Sequence, residues 1–396
     1  MARKLYLVGA GLSKSLEKAG KPIPLMFDFV SAMADHLDSQ VILASLAALE
    51  LADLYEWKSA EAKGIAERIF ESLRNGPCPD NLRAQFRRVL KDRPWESIED
   101  LLERSFMPQP TQGARWYASQ QPQRFRYAIN QLFCSIGWDV NWYPLERFLR
   151  RQFRGDDSHT FVSFNYDLLL DRAIQKCASD WNVQSGYGFG IEYFLDRDPP
   201  PVKDGFGERV EGKKLPGESP AKVFLLKPHG SLNWLVPQRI PVAHGPGGTL
   251  FDDGPVTVPL SPSGELRYFG SIEPFKSIWL PEKLPSSVEI YIIPPVAAAK
   301  SQSSCFSKEV RRREEEAFAD ADEVYVIGWS LPETDRDQES LIRCSVRNRQ
   351  RPIGSLTVVN CGARPAYFRR VADMFGVSES SVKIFNAGFN AFVESP

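Results

Sequence analysis

Short apolar runs separated by helix-length segments constrain this chain more than any other feature. Runs at 4–8, 160–164, 223–227, 289–293, 324–327, 356–359 and 382–385 have the length and apolar content of buried strands. Segments of helical length follow several of them, at 168–177, 306–320, 337–347 and 365–375. A strand, a helix and a further strand, joined by spacers too long for a hairpin, mean parallel crossovers. The pattern predicts an α/β fold with a Rossmann-like, doubly wound parallel sheet. The stretch 28–155 breaks it, being strand-poor, with Phe29, Met33, Leu37, Val41 and a Leu-rich run to Leu54 at helical spacing. Further helices are read over 59–75, 81–91, 96–105 and 122–135, with a break at Pro108, Pro110 and Gly113. The chain therefore divides into a discontinuous sheet domain, 1–27 and 156–396, and an inserted all-helical subdomain, 28–155. Long Pro/Gly-rich connections run through 178–222 and 236–287, the second with a hairpin near 264–272. A lid or binding loop is one common reason for such length.

Composition removes several classes of function. With 49 Lys+Arg against 50 Asp+Glu, the chain is no wholesale binder of nucleic acid. No apolar run approaches the roughly 18 residues of a membrane span. The N-terminus passes from Met-Ala-Arg-Lys directly into a strand and does not read as a signal peptide. Six cysteines, at 78, 134, 177, 305, 344 and 361, contain no Cys-x-x-Cys pair. They read as reduced thiols of a cytoplasmic protein, and a zinc site built from Cys pairs is not expected.

In an open parallel sheet, ligands bind beyond the carboxyl ends of the strands. The first strand delivers Gly9-Ala10-Gly11-x-Ser13, small residues that let backbone approach a pyrophosphate. A tight turn would use the same residues. The second delivers Phe164-Asn165-Tyr166-Asp167. Asp167 suits an N-cap of the helix that follows, whereas Asn165 has no such structural role and can orient a water or a ribose hydroxyl. The third delivers Lys227-Pro228-His229-Gly230-Ser231, placing one of only four His in a rigid turn. A neutral imidazole there suits ribose hydroxyls or general-base work. Later strands deliver Gly328-Trp329-Ser330 and Asn360. Five strand ends suited to a dinucleotide are better explained by one shared site than by five separate accidents.

On these residues the chain resembles the sirtuin family, and more closely its bacterial sirtuin-like branch that hydrolyses NAD in antiphage defence. Phe164-Asn165-Tyr166-Asp167 is similar to the family's Gln-Asn-Ile-Asp element, and Lys227-Pro228-His229-Gly230-Ser231 to its His-Gly element. Gly328-x-Ser330 and Val359-Asn360 are similar to its phosphate- and ribose-binding turns. The resemblance spans 4 to about 388, apart from the insert and the long connections. It implies that Asn165 positions water or the nicotinamide ribose and that His229 contacts the ribose and acts as base. It assigns Gly9, Ala10, Gly11, Ser13, Asp167, Gly328, Trp329, Ser330 and Asn360 to holding NAD+, which is substrate, with no metal required. Deacylase sirtuins carry a four-cysteine zinc ribbon where this chain has only Cys305. Their Gly-Ile-Pro-Asp-Phe-Arg stretch becomes Lys21-Pro22-Ile23-Pro24-Leu25-Met26-Phe27, with Leu25 where Asp is expected.

The expected activity is therefore cleavage of NAD+ to nicotinamide and ADP-ribose, depleting NAD as abortive infection. The alternatives are an NAD-dependent deacylase or ADP-ribosyltransferase, and a non-catalytic subunit that binds NAD or ADP-ribose. The branch also implies a homo-oligomer and a triggering partner in trans, of which a ring-forming ATPase or helicase-type protein is one form. A band at 104–154 holds eight Arg, no Lys, two acids and eleven aromatics. It reads as a helical core covered by Arg stems or as a protein interface, with single-stranded nucleic acid a further use of the same residues. Arg311 to Glu316 reads as a solvated charge run. Asp335 and Asp337 either face the nucleotide or cap the helix behind them.

Overall fold

The computed structural model describes residues 2–18, 23–25, 28–51, 59–92, 140–179, 222–237, 288–293 and 305–395. Shorter described pieces lie at 97, 100–101, 128–129, 132–133, 181, 186–188, 193–194, 202–204, 207–209 and 213–214. Six of the apolar runs form strands β1 (Arg3–Val8), β2 (Ser158–Ser163), β3 (Val223–Leu226), β4 (Glu323–Ile327), β5 (Ser355–Val359) and β6 (Val382–Phe385). They pair in one all-parallel sheet in the order β6-β5-β4-β1-β2-β3. The winding direction reverses between β1 and β4, where an α/β sheet opens a crevice for ligands. Register fixes which residues meet there. Val8 lies opposite both Ser163 and Ile327, Ile327 opposite Val359, and Val162 opposite Leu226. The turns that follow β1 to β5 therefore emerge level with one another.

Helices cover both faces. Tyr6, Phe161 and Tyr325 occupy adjacent strands in register and stack with centroids 4.3 and 5.0 Å apart. Phe148 seals them edge-on at 5.9 Å from Tyr6. That residue comes from the helix Tyr143–Gln152, which lies within the range read as insert but packs directly on the sheet. The C-terminal helix Phe389–Glu394 adds Phe389 and Phe392 around the same Phe148. The opposite face, carrying Leu5 and Thr160, shares a pocket with Ala317 of helix αA (Cys305–Asp320) and with Ala321 just past its end. Helix αB (Arg336–Arg347) follows β4, and Pro365–Met374 follows β5.

Between β1 and Tyr143 the described regular elements are all helical: Ala10–Ser15, Phe29–Asp35, Gln40–Leu51, Ala60–Asn75 and Asp80–Lys91. Within the stretch of helical spacing that starts at Phe29, the chain breaks after Asp35, and the Ser39 hydroxyl accepts the Ile42 N–H at 3.4 Å. Ser and Asp side chains compete for backbone groups in this way and favour helix starts over interiors. Ser59 caps the next helix by accepting the Ala62 N–H.

The run at 289–293 departs from expectation. Its residues Val288–Ile292 pair antiparallel with Gly230–Pro237, outside the main sheet. Alternation identifies a strand but not its partner, and the partner here starts shortly after β3, in the turn that carries His229. Most of the expected helices at 96–105 and 122–135, the hairpin near 264–272 and most of the Arg/aromatic band lie outside the described residues.

Candidate functional site

The turns after β1 and β4 are pressed together backbone to backbone. Gly9 N–H donates to Ile327 O at 3.0 Å, and Gly11 N–H to Gly328 O at 2.9 Å. A β-carbon on Gly9 would lie 2.5 Å from Trp329 Cα, and one on Gly11 would lie 2.8 Å from Gly328 Cα. Close packing alone thus requires these glycines, and the N–H groups of both are spent within the fold. Just beyond, Leu331 sits at φ 54, a left-handed conformation rare for a branched residue.

The β2 turn brings Asn165 and Asp167 against the first turn. Asn165 Nδ2 donates to Gly9 O at 3.1 Å and to Ser13 Oγ at 2.9 Å. Both amide hydrogens are therefore committed, and what Asn165 offers a ligand is its carbonyl oxygen. The Ser13 hydroxyl in turn donates a hydrogen bond to Asp167 Oδ2 at 2.8 Å. Asp167 Oδ1 accepts the Leu169 N–H at 2.9 Å, at the start of helix Leu169–Cys177. Leu168, not Asp167, is the N-cap of that helix, so Asp167 holds the helix start from one residue upstream while the same residue borders the site cavity. Burial raises its pKa, and Lys227, the Leu169 N–H and the Ser13 hydroxyl oppose that rise.

Behind this wall Lys227 Nζ donates to Asp167 O at 2.6 Å and pairs with Asp171 Oδ2 at 3.0 Å, both side chains being wholly inaccessible. Asp171 also accepts the Tyr187 hydroxyl at 2.8 Å, which in turn accepts from Asn233. Burial and the Asp171 charge hold the Tyr187 hydroxyl well above the usual phenol pKa. A buried pair of this kind survives because each charge is also hydrogen-bonded. It clamps the β2 and β3 turns in one arrangement.

His229 follows on the β3 turn, 5% exposed, with its carbonyl accepting the Ile293 N–H at 2.8 Å. Its Nε2 lies 3.3 Å from Asp335 Oδ1. Asp335 makes no cap bond to αB. Its other oxygen accepts the Trp329 indole N–H at 3.0 Å. Trp329 is itself buried and stacked on Phe164 at 4.4 Å.

These groups line one cavity of about 90 Å³ at the point where the sheet reverses. Gly9, Ala10, Ser13, Asn165, Asp167, His229, Trp329 and Ser330 all border it. Gly11, Gly328 and Asn360 do not. Gly11 and Gly328 back the lining, and Asn360 Oδ1 accepts the neighbouring Cys361 N–H at 2.8 Å. Ile23, Pro24, Phe29, Ile129 and Phe133 form an apolar wall opposite the turns. Asp335, which its place after the Gly328-Trp329-Ser330 turn left as a nucleotide contact or a helix cap, completes the lining. Among the described lining residues, the ionisable groups are Asp167, Asp335, His229 and Tyr166, with no Lys or Arg. The cavity is smaller than the roughly 300–1,000 Å³ typical of a pocket for a whole small-molecule ligand. Its chemistry suits one flat, electron-poor group with a polar edge, and Ser330 at its border is exposed.

Among the described residues no group of three or more His, Cys, Asp or Glu is arranged to hold a metal. No described helix is long and apolar enough to cross a membrane. No protein-family model matches the chain, and no curated protein matches it.

Proposed function

We propose that the protein is an NAD+ glycohydrolase that releases nicotinamide and ADP-ribose, with NAD depletion as its cellular effect. The observation that carries this reading is the convergence of Asn165 and His229 on one cavity whose described lining residues include two acids and no Lys or Arg. In NAD+ the nicotinamide ring is cationic, and on cleavage positive charge develops on the ribose. Carboxylates favour both states, whereas a basic lining would oppose them. The apolar wall excludes bulk water from the ring face.

The C1′–N bond breaks with its electron pair leaving on nicotinamide, which departs neutral. A water adds its oxygen to C1′, and the proton it loses passes to the His229 imidazole. Asn165, through its carbonyl oxygen, can accept a hydrogen bond from that water or from a ribose hydroxyl. A rigid site of this kind contributes mainly by orientation and by field.

Purified protein, alone and with co-encoded proteins, should convert NAD+ to nicotinamide and ADP-ribose in a chromatographic assay. Asn165→Ala and His229→Ala should each lower turnover by about 100-fold or more. Persistence of turnover in both variants would overturn the reading, as would failure to consume NAD+ under every condition. A binding subunit without turnover is the second reading, favoured by the internal commitment of the Ser13 hydroxyl and the Asn165 amide. It is identified by saturable NAD+ or ADP-ribose binding with no product.

A further inference from the structure

The contact between His229 and Asp335 belongs to a longer chain of fixed groups. Asp335 Oδ1 lies 3.3 Å from His229 Nε2, and Oδ2 is held by the Trp329 indole at 3.0 Å. Trp329 is fixed by its stack on Phe164, 19° from parallel, and its carbonyl accepts the Tyr367 hydroxyl. Arg370 donates to Leu331 O at 3.2 Å, pinning the left-handed residue between Trp329 and Asp335. The carboxylate therefore comes to the imidazole from a turn braced on two sides.

The β2 turn also faces the ring. Phe164 and Tyr166 lie 5.7 and 6.4 Å from it between centroids. The Tyr166 hydroxyl donates to Ile293 O at 3.3 Å. Asp167 shares the cavity wall, but its oxygens accept from Ser13 and Leu169. Among the described lining residues, Asp335 is the one charged group placed against His229.

We propose that Asp335 is the positioning residue of His229, fixing its tautomer and ring orientation while Trp329 fixes Asp335. The catalytic meaning of this pair rests on reading His229 as the base of NAD+ hydrolysis. The two atoms stand within ion-pair reach without hydrogen-bond geometry, and an Nε2–H turned to the carboxylate puts the accepting lone pair on Nδ1. The adjacent negative charge also strengthens the ring's hold on the proton that water gives up. Asp335 touches neither substrate nor reacting atoms in this scheme and acts through His229.

The test is a titration of the full chain carrying ¹⁵N-labelled histidine. With four His in the sequence, the His229 signals are assigned by their loss in His229→Gln. The expected wild-type state is the Nε2–H tautomer, and Asp335→Asn should lower the His229 pKa by about one pH unit or more. In the NAD+ assay the same variant should lose about 10- to 100-fold in kcat with little change in KM, its acid limb moving to lower pH. An Nδ1–H tautomer in the wild type, or an unmoved pKa in Asp335→Asn, overturns the pair. The wild-type tautomer keeps the test decisive if Asp335→Asn does not fold. Should the titration behave as expected while NAD+ is never consumed, the pair stands and the hydrolase reading falls. If NAD+ is consumed and the titration does not move, the pair alone falls.

Discussion

Gly328 carries a constraint that its neighbours cannot relieve. It adopts φ +60, and a β-carbon there would lie 2.5 Å from Leu12 N and 2.6 Å from Gly11 C, both backbone atoms. Backbone cannot swing aside as a side-chain tip can, so Gly328→Ala combines conformational strain with a clash between two turns. A loss of about 2–4 kcal/mol is expected in urea denaturation. A stability within about 0.5 kcal/mol of wild type would show that the two turns separate freely. At this scale the sequence identified the small residues correctly as special, but two causes were superimposed on them. Room for a pyrophosphate and room for a facing turn call for the same amino acid, and only the position of Trp329 separates the two. Asp335 illustrates the converse. Its sequence position allowed a helix cap or a ligand contact; the structure shows no cap bond, places it at the cavity and sets its carboxylate against Trp329 and His229.

Between αA and αB, the charge pattern alone misleads. The run from Arg311 to Glu316 reads as solvent-facing, and Arg312 does pair at the surface with Glu309 and Glu316. Glu314, in the same run, is 1% exposed beside Gln338 of αB. Burial pushes its pKa to about 8, against the opposing effects of Arg311 and Gln338. The folded state therefore holds the proton through a range where the unfolded chain releases it. Stability attributable to this site is full below the unfolded pKa and is lost as pH rises through the folded one. The window runs from the ordinary carboxyl value of 4.5 up to about 8. Each pH unit between those two values is worth about 1.4 kcal/mol, so the whole effect is on the order of 4–5 kcal/mol. Glu314→Gln should remove it, so that the variant gains on wild type across that window in denaturation midpoints. Parallel pH dependence in the two proteins would place the carboxyl in contact with water. The six parallel strands were legible because buried β-strands need continuous apolar side chains, which the alphabet of the sequence records. The antiparallel ladder of Gly230–Pro237 with Val288–Ile292 was not, because hydrogen-bond partners are chosen by backbone groups common to all residues.

Across the whole molecule, the cavity is built by parts far apart in the chain. Strand turns provide its polar side, and Phe29, Ile129 and Phe133 from the helical stretch provide its apolar side, Phe29 and Phe133 meeting at 6.0 Å. If this wall packs against the nicotinamide end of NAD+, Phe133→Ala should raise KM by about tenfold, the worth of one well-buried apolar contact. The same variant should leave kcat within about threefold, since it touches no group placed at the reacting bond. Unchanged initial-rate kinetics would assign the wall to folding alone. By itself, the sequence determined the six strands of the main sheet and the helices behind them, the doubly wound class, and the presence of an Asn and a His at neighbouring strand ends. Those features follow from side-chain type and spacing, which are local. The tertiary structure decided that the strand ends are level, that Ser13, Asn165 and Asp167 are joined in one network, and that Asp335 stands against His229. It also decided that an apolar wall from the helical stretch closes over them. Each of these is set by register and by the packing of one layer on another, between residues distant in the chain. Side-chain identity carries the chemistry of such a site, while the sheet decides which chemistry meets.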